Sequence, residues 1–269
     1  SKHKLQKEIL NIKNISFVPT MGGLHKGHIS LIKKSKNFNG KTLVSIFVNP
    51  KQFNKKQDFL KYPRNLTKDL ILLKRLKVDY IYLPSLKDIF SFKVKNKIYL
   101  DKFSKKLCGK SRKGHFKGVL NIVNRFLDLI KPKYIILGVK DFQQSYLITK
   151  HILKRNINTK VINCKTIREK NGVACSTRNK NLSKYQFKIA SKTIKYLKNY
   201  KRLIKKKLSN FNSVNIVKIK RNLKNFGVTK IDYIELFNSK TLKRPRSNRE
   251  NFKIFIAFYL NKTRLIDNI

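Results

Sequence analysis

Acidic side chains are scarce in this sequence. Thirteen Asp and Glu stand against 65 Lys and Arg, for a formal net charge of +52 over 269 residues. With so few carboxylates, any one placed beside a candidate ligand site stands out. No run approaches the roughly 20 uncharged apolar residues of a membrane span, so a membrane-spanning helix is excluded. The opening SKHKLQKEIL lacks the apolar stretch of a signal peptide. Cysteine occurs only at positions 108, 164 and 175, a spacing that offers no pair for zinc or dithiol chemistry and suits a reducing cytoplasm. Tryptophan is absent and alanine occurs only at 174, 190 and 257.

What is present is enough for a core. Hydrophobic residues make up 41% and aromatics 11%, too apolar for a disordered basic tail. The basic excess is mostly lysine, spread from end to end and accompanied by many Asn and Ile. These residues have AT-rich codons, so compositional drift is the favoured origin. The alternative, selection for binding a phosphate backbone, would fit the pI near 10.5. No aromatic-rich RNA-binding signature accompanies the charge, so no specific nucleic-acid partner is expected. The charge should still speed encounters with anionic substrates.

Short apolar runs at residues 15–18, 42–48, 78–83, 134–137 and 160–167 alternate with helical patterns at 28–36, 66–76, 116–130 and 142–153. Such alternation predicts a parallel sheet with helices on both faces. After about residue 170 the pattern becomes helix (183–207), helix (214–226), strand (230–237), strand (252–260), which predicts a smaller α+β domain. The expected division is 1–167 and 168–269, with 168–182 as the junction.

Four segments carry chemistry. PTMGGLHKGH (19–28) follows a predicted strand and enters a helix. Its glycines allow close backbone approach, and His25 and His28 stand where free amides and the helix dipole already favour an anion. No Gly-Lys-Ser/Thr follows, so this is not a Walker loop. VNPKQF (48–53) lies at a strand's carboxyl end, where open α/β sheets bind ligands; Gln52 suits a carboxylate or hydroxyl. In GVKDFQQ (138–144), Lys140 suits phosphate, Gln144 falls one helical turn later, and Asp141 either caps the helix or meets the ligand. CSTRN (175–179) is a polar, cationic cluster in the junction. YPRN (62–65) leads into a helix bearing Asp69, a candidate magnesium contact. SRKGHFKGV (111–119) is a Gly-punctuated loop entering another helix.

In this order and spacing, with the terminal TRLIDN, these segments resemble the pantothenate synthetase (pantoate–β-alanine ligase) family over nearly the whole chain. HxGH alone is shared by many nucleotidyltransferases; its combination with VNPxQF and KDxQQ is specific. The resemblance implies a Rossmann-like nucleotidyltransferase (HUP-type) domain, a smaller C-terminal domain closing as a lid, and a homodimer. It implies that (R)-pantoate and β-alanine are joined with ATP and Mg2+, through a pantoyl-adenylate, to pantothenate, AMP and diphosphate. That product feeds coenzyme A synthesis.

Carried over position by position, the resemblance implies that Met21, Gly22, Gly23, Leu24, His25, Lys26, Gly27 and His28 line the ATP site. Gly138, Val139, Lys140, Asp141, Ile167, Cys175, Ser176, Thr177 and Arg178 would complete it. His28, His25 and Lys140 would act on the phosphates, and Gln52, Gln144 and Asn49 would form the pantoate/β-alanine pocket. The chain departs from the family pattern at Val139, Lys113, Thr177 and Lys68, where Glu, Pro, Ser and an acidic residue are usual. Two other classes remain as alternatives: a different HxGH nucleotidyltransferase, separable by a substrate panel, and a nucleic-acid-binding module.

Overall fold

The computed structural model describes residues 1–54, 56–207 and 214–269. Contacts divide them into two units, Ser1–Ile167 and Arg168–Ile269. The first unit runs α1 (Lys2–Ile9), β1 (Ile15–Thr20), α2 (Lys26–Ser35), β2 (Lys41–Ile46), α3 (Lys56–Leu60), α4 (Leu66–Arg75) and β3 (Tyr80–Tyr82). It continues with α5 (Leu86–Phe90), α6 (Leu107–Ser111), α7 (His115–Ile130), β4 (Tyr134–Gly138), α8 (Phe142–Lys154) and β5 (Lys160–Cys164).

The five strands are all parallel, in the order β3-β2-β1-β4-β5. Their sequences are nearly continuous apolar runs because both faces are covered. Successive residues divide between two cores: Phe17, Leu43 and Ile135 face one, while Val18, Val44 and Ile136 face the other. Helix α7 fills the first core through Val119, Leu120, Val123, Phe126 and Leu127; Leu31, Ile32 and Leu73 of α2 and α4 fill the second. The chain leaves β1 toward β2 on one side and returns to β4 on the other, which makes β1/β4 the topological switch point. Those two strands pair only at Ser16↔Tyr134 and Phe17↔Ile135. The pairing stops short of their carboxyl ends, at the edge where ligands of such sheets bind.

The second unit carries α9 (Lys184–Lys207) and α10 (Ile216–Asn225), then an antiparallel sheet of β6 (Lys230–Asn238), β7 (Phe252–Leu260) and β8 (Thr263–Asn268). Ser183 and Gln186 form a reciprocal capping box that starts α9: Gln186 N–H donates to Ser183 Oγ (3.1 Å) and Ser183 N–H to Gln186 Oε1 (2.9 Å). Gly227, at φ +104°, ends α10; a Cβ there would stand 2.7 Å from Ile189 Cδ1.

Several elements differ from the sequence expectation, among them the short helices α3, α5 and α6, which were not expected. The strand expected to reach residue 167 ends at Cys164, which leaves Ile167 in the following loop. Helix α1 was not expected; it buries only Leu5 and Ile9 and is otherwise polar. The final strand, β8, was also not expected. Its inward residues include Asp267, buried against Arg168 with Nη1 and Nη2 2.6 and 2.9 Å from the carboxylate oxygens. A buried ion pair breaks the apolar alternation by which strands are recognised.

The first unit also holds a buried, neutral histidine. His151 Nδ1 accepts the Tyr99 amide (3.1 Å), so its proton lies on Nε2, which donates to Asn124 Oδ1 (2.9 Å). Asn124 in turn donates to the Asn96 carbonyl (2.8 Å), tying the loop before α6 to α7 and α8. Burial, and secondarily the charge of Arg155, push its pKa from 6.5 down to about 4. Between those values the unfolded chain binds a proton that the folded chain refuses, so stability falls as pH falls. The loss should total about 3 kcal/mol from pH 6.5 to 4, at ~1.4 kcal/mol per pH unit. Thermal melts across that window should show the decline, and His151→Asn, less stable at pH 7, should lack it; an unchanged slope in the variant would assign it elsewhere.

Candidate active site

Three of the predicted segments meet at the carboxyl edge of the parallel sheet, each following its strand directly. The turn after β1 carries Gly22 and Gly23 at φ +76° and +63°. A Cβ at Gly22 would stand 2.9 Å from Asp69 Oδ2 and 3.0 Å from Ile46 Cγ2. Only glycine satisfies both constraints. This left-handed pair directs consecutive amides onto one carboxylate: Gly23 N–H donates to Asp69 Oδ2 (2.7 Å) and Leu24 N–H to Oδ1 (2.8 Å). Asp69 is 4% exposed and lies in the first turn of α4, where the dipole favours an anion. Thr20 Oγ1 fastens the start of the turn, accepting the Gly22 amide (3.2 Å) while donating to the Ser45 carbonyl (2.7 Å).

The turn delivers the chain to α2, whose N-cap is His25. His25 Nδ1 accepts the Gly27 amide (3.1 Å), and His28 Nδ1 accepts the His25 amide (3.3 Å). This is a capping box built from two imidazoles. Each Nδ1 is an acceptor, so the proton of each neutral ring lies on Nε2. The rings lie 4.1 Å apart, centroid to centroid. Two Nε2–H donors at a helix N-terminus make a place for an anion that needs no side-chain positive charge.

Around this turn, Met21 receives a hydrogen bond on sulfur from the Gln52 carboxamide, which joins the segment after β2 to the segment after β1. Gln52 ends a short 3-10 turn, Pro50–Gln52, capped by Asn49, whose Oδ1 accepts the Lys51 amide (3.1 Å). Asn49 is fully buried, and its Nδ2 donates to the Gly118 carbonyl (3.1 Å). Its side chain is thus a strut. After β4, Lys140 Nζ pairs with Asp141 Oδ1 (3.2 Å); Asp141 occupies the N-cap position of α8 without a side-chain capping bond. The two glutamines of GVKDFQQ part ways. Gln143 is buried and bonds the carbonyls of Phe103 and Lys106 and the amide of Cys108, whereas Gln144 is half-exposed.

Asp69, expected as a magnesium contact, holds one backbone amide on each oxygen and is buried. Among the described residues no group of three or more His, Cys, Asp or Glu could hold a metal ion. Cys175–Arg178 belong to the second unit. There Cys175 is buried with Sγ–H donating to Glu169 Oε1 (3.1 Å), Thr177 is buried, Ser176 Oγ accepts the Arg178 amide (3.3 Å), and Arg178 is half-exposed. The clamping role of Asp69 could have been suspected from the GG dipeptide, which needs an acceptor for its exposed amides. Gln143 gave no signal that separates it from Gln144.

A family model described as pantoate-beta-alanine ligase matches residues 1–269. A pantothenate synthetase of Pseudothermotoga lettingae is 38% identical over 268 residues, spanning 98% of this chain and 94% of that protein. A crystal structure of pantoate-beta-alanine ligase from Francisella tularensis, complexed with beta-gamma ATP and beta-alanine, superimposes with a TM-score of 0.82 at 38% identity, covering 100% of this chain and 94% of that one. The corresponding structure from Thermus thermophilus gives a TM-score of 0.87 at 27% identity, covering 100% and 97%.

Replacing Asp69 by Asn would turn an amide NH2 toward one of the two backbone N–H groups. Asp69→Asn should cost about 1–3 kcal/mol, the range for a buried donor left without its acceptor. Chemical denaturation measures this, and added magnesium should restore nothing. Full rescue by magnesium would return Asp69 to the role of a metal ligand.

Proposed function

The chain belongs to the pantoate–β-alanine ligase family, and on that premise we propose how its residues divide the work of joining pantoate to β-alanine with ATP. The reading rests on one observation: two neutral imidazoles, each with Nδ1 engaged and its proton on Nε2, cap α2 directly after β1 at the carboxyl edge of the parallel sheet. A carboxylate is a poor acyl donor. Attack of a pantoate carboxylate oxygen on the ATP α-phosphorus breaks the bond to the bridging oxygen, releases diphosphate and leaves pantoyl-adenylate. The β-alanine amine then attacks the acyl carbon, AMP departs with the electron pair, and the amine loses a proton.

The first step sets one anion against another. His28 and His25 would donate from Nε2 to phosphate oxygens as charge shifts toward the leaving diphosphate, and Lys140 would offset that charge. Met21–Gly27 would bring backbone close to the nucleotide, with Gly138, Val139, Asp141 and Ile167 beside it. Ser176, Thr177 and Arg178, with Cys175, are assigned to the nucleotide by the family pattern. Gln52 and Gln144 would hold pantoate by its hydroxyls and carboxylate. Asn49 supports that pocket through its bonds to Lys51 and Gly118. Magnesium fits as the counter-ion that ATP brings on its phosphates, since no protein cage for it stands among the described residues. A lid action of the second unit, a homodimer and a cytoplasmic location complete the proposal; the three cysteines, none of them in a disulfide, support the last.

Purified enzyme should form AMP only when pantoate and ATP are both present. His28→Ala should lower kcat by about 10²–10³, the range for removing one preorganised donor to a transition-state oxygen. Circular dichroism should show the fold retained, with a small loss of stability from the broken capping box. Turnover within a few-fold of the parent would remove His28 from the chemistry.

A further inference from the structure

Apart from the Gly118 carbonyl, which receives Asn49, the loop SRKGHFKGV has no part in the roles proposed above, yet it is fastened at several points to the segment that carries Gln52. Gly114, left-handed at φ +78°, reverses the chain between α6 and α7, with Arg112 and His115 flanking it. His115 Nδ1 lies 2.7 Å from the Gln52 carbonyl oxygen, and Arg112 Nη2 lies 3.3 Å from the same oxygen. Arg112 Nη1 is 2.9 Å from His115 Nε2. A guanidinium can only donate. Nε2 therefore accepts, the ring proton sits on Nδ1, and Nδ1–H donates to the carbonyl. The result is a directed relay from Arg112 through His115 to the backbone of Gln52. Hydrogen bonds in series polarise one another, so the charged guanidinium strengthens the second link.

The backbone held by this relay is also pressed from behind. A Cβ on Gly118 would stand 2.4 Å from the Lys51 carbonyl oxygen and 3.0 Å from Gln52 Cα. Asn54 Nδ2 donates to the Lys113 carbonyl (2.6 Å), closing the far side. The three-residue 3-10 turn that ends at Gln52 has little rigidity of its own. A side chain that must meet a substrate within about half an ångström needs such outside support.

We propose that Arg112 and His115 are positioning residues for the pantoate pocket, acting through the Gln52 carbonyl to hold the Gln52 carboxamide in place. The proposal rests on the assignment of Gln52 to pantoate. It requires that loss of the relay weaken pantoate binding selectively, because the backbone held is that of Gln52 and not of the α2 N-terminus. It also requires that the Nδ1 position, rather than the bulk of the ring, carry the effect. Asparagine places an amide N–H near the Nδ1 position; glutamine places its amide near Nε2.

Steady-state kinetics of His115→Asn, His115→Gln and His115→Phe, with each substrate varied, test this. His115→Phe and His115→Gln should raise the pantoate KM about tenfold, the effect of losing one strong hydrogen bond, while the ATP KM stays within about twofold. His115→Asn should recover most of the loss. Equal effects of Asn and Gln, or equal shifts in both KM values, would overturn the relay. If His115→Phe does not fold, the Asn and Gln pair decides alone, with Arg112→Gln expected to follow His115→Gln. Gln52→Ala measured in parallel separates the two claims. A raised pantoate KM there with inert His115 variants sinks the relay alone; an unchanged pantoate KM in Gln52→Ala sinks the Gln52 assignment and the relay with it.

Discussion

One buried carboxylate holding two consecutive amides is the interaction on which the site stands. The chain leaving β1 must turn sharply, through two left-handed glycines, to start α2 at the right place. A turn of that shape exposes backbone N–H groups that a protein interior does not tolerate unpaired. Asp69 accepts both, at 2.7 and 2.8 Å. It is supplied by a helix well downstream in sequence, so the turn is fixed to the body of the sheet rather than left to its own local preferences. The chain beyond the turn inherits that placement: the N-cap at His25 and the second imidazole one turn on.

The same economy of charge runs through the molecule. The formal net charge is +52, yet the cap of α2 is built from two neutral imidazoles, and one of the scarce carboxylates is committed to the turn. A cluster of lysines would attract an anion from a distance and place it loosely. Imidazole N–H groups and helix amides, each with a fixed direction, place it closely.

Much of this was legible in the sequence, and the gaps have physical reasons. The parallel strands were visible because burial on both faces leaves apolar runs ended by Pro, Asn or Gly. Three of the candidate segments were visible because each puts unusual residues at a strand's carboxyl end. Strand β8 was hidden because its inward Asp267 is buried by pairing with Arg168, about a hundred positions away. Helix α1 was hidden because two buried apolar residues among lysines give a faint periodicity. The occupation of Asp69 was readable only indirectly: the GG dipeptide calls for an acceptor, but nothing in side-chain identity singles out Asp69 as the one that serves. Gln143 and Gln144 are chemically identical in a string of letters; only the fold shows that one binds the 103–108 backbone and the other does not.

As proposed, His25 and His28 should be neutral, with Nδ1 accepting a backbone amide and Nε2–H available to the nucleotide. Nitrogen-15 NMR of histidine-labelled protein, with each ring assigned by single substitution, reads this directly. At neutral pH both rings should show an unprotonated Nδ1 and a protonated Nε2, and both Nε2 signals should move when ATP is added. A proton on Nδ1 of either ring, or Nε2 signals indifferent to ATP, would contradict it.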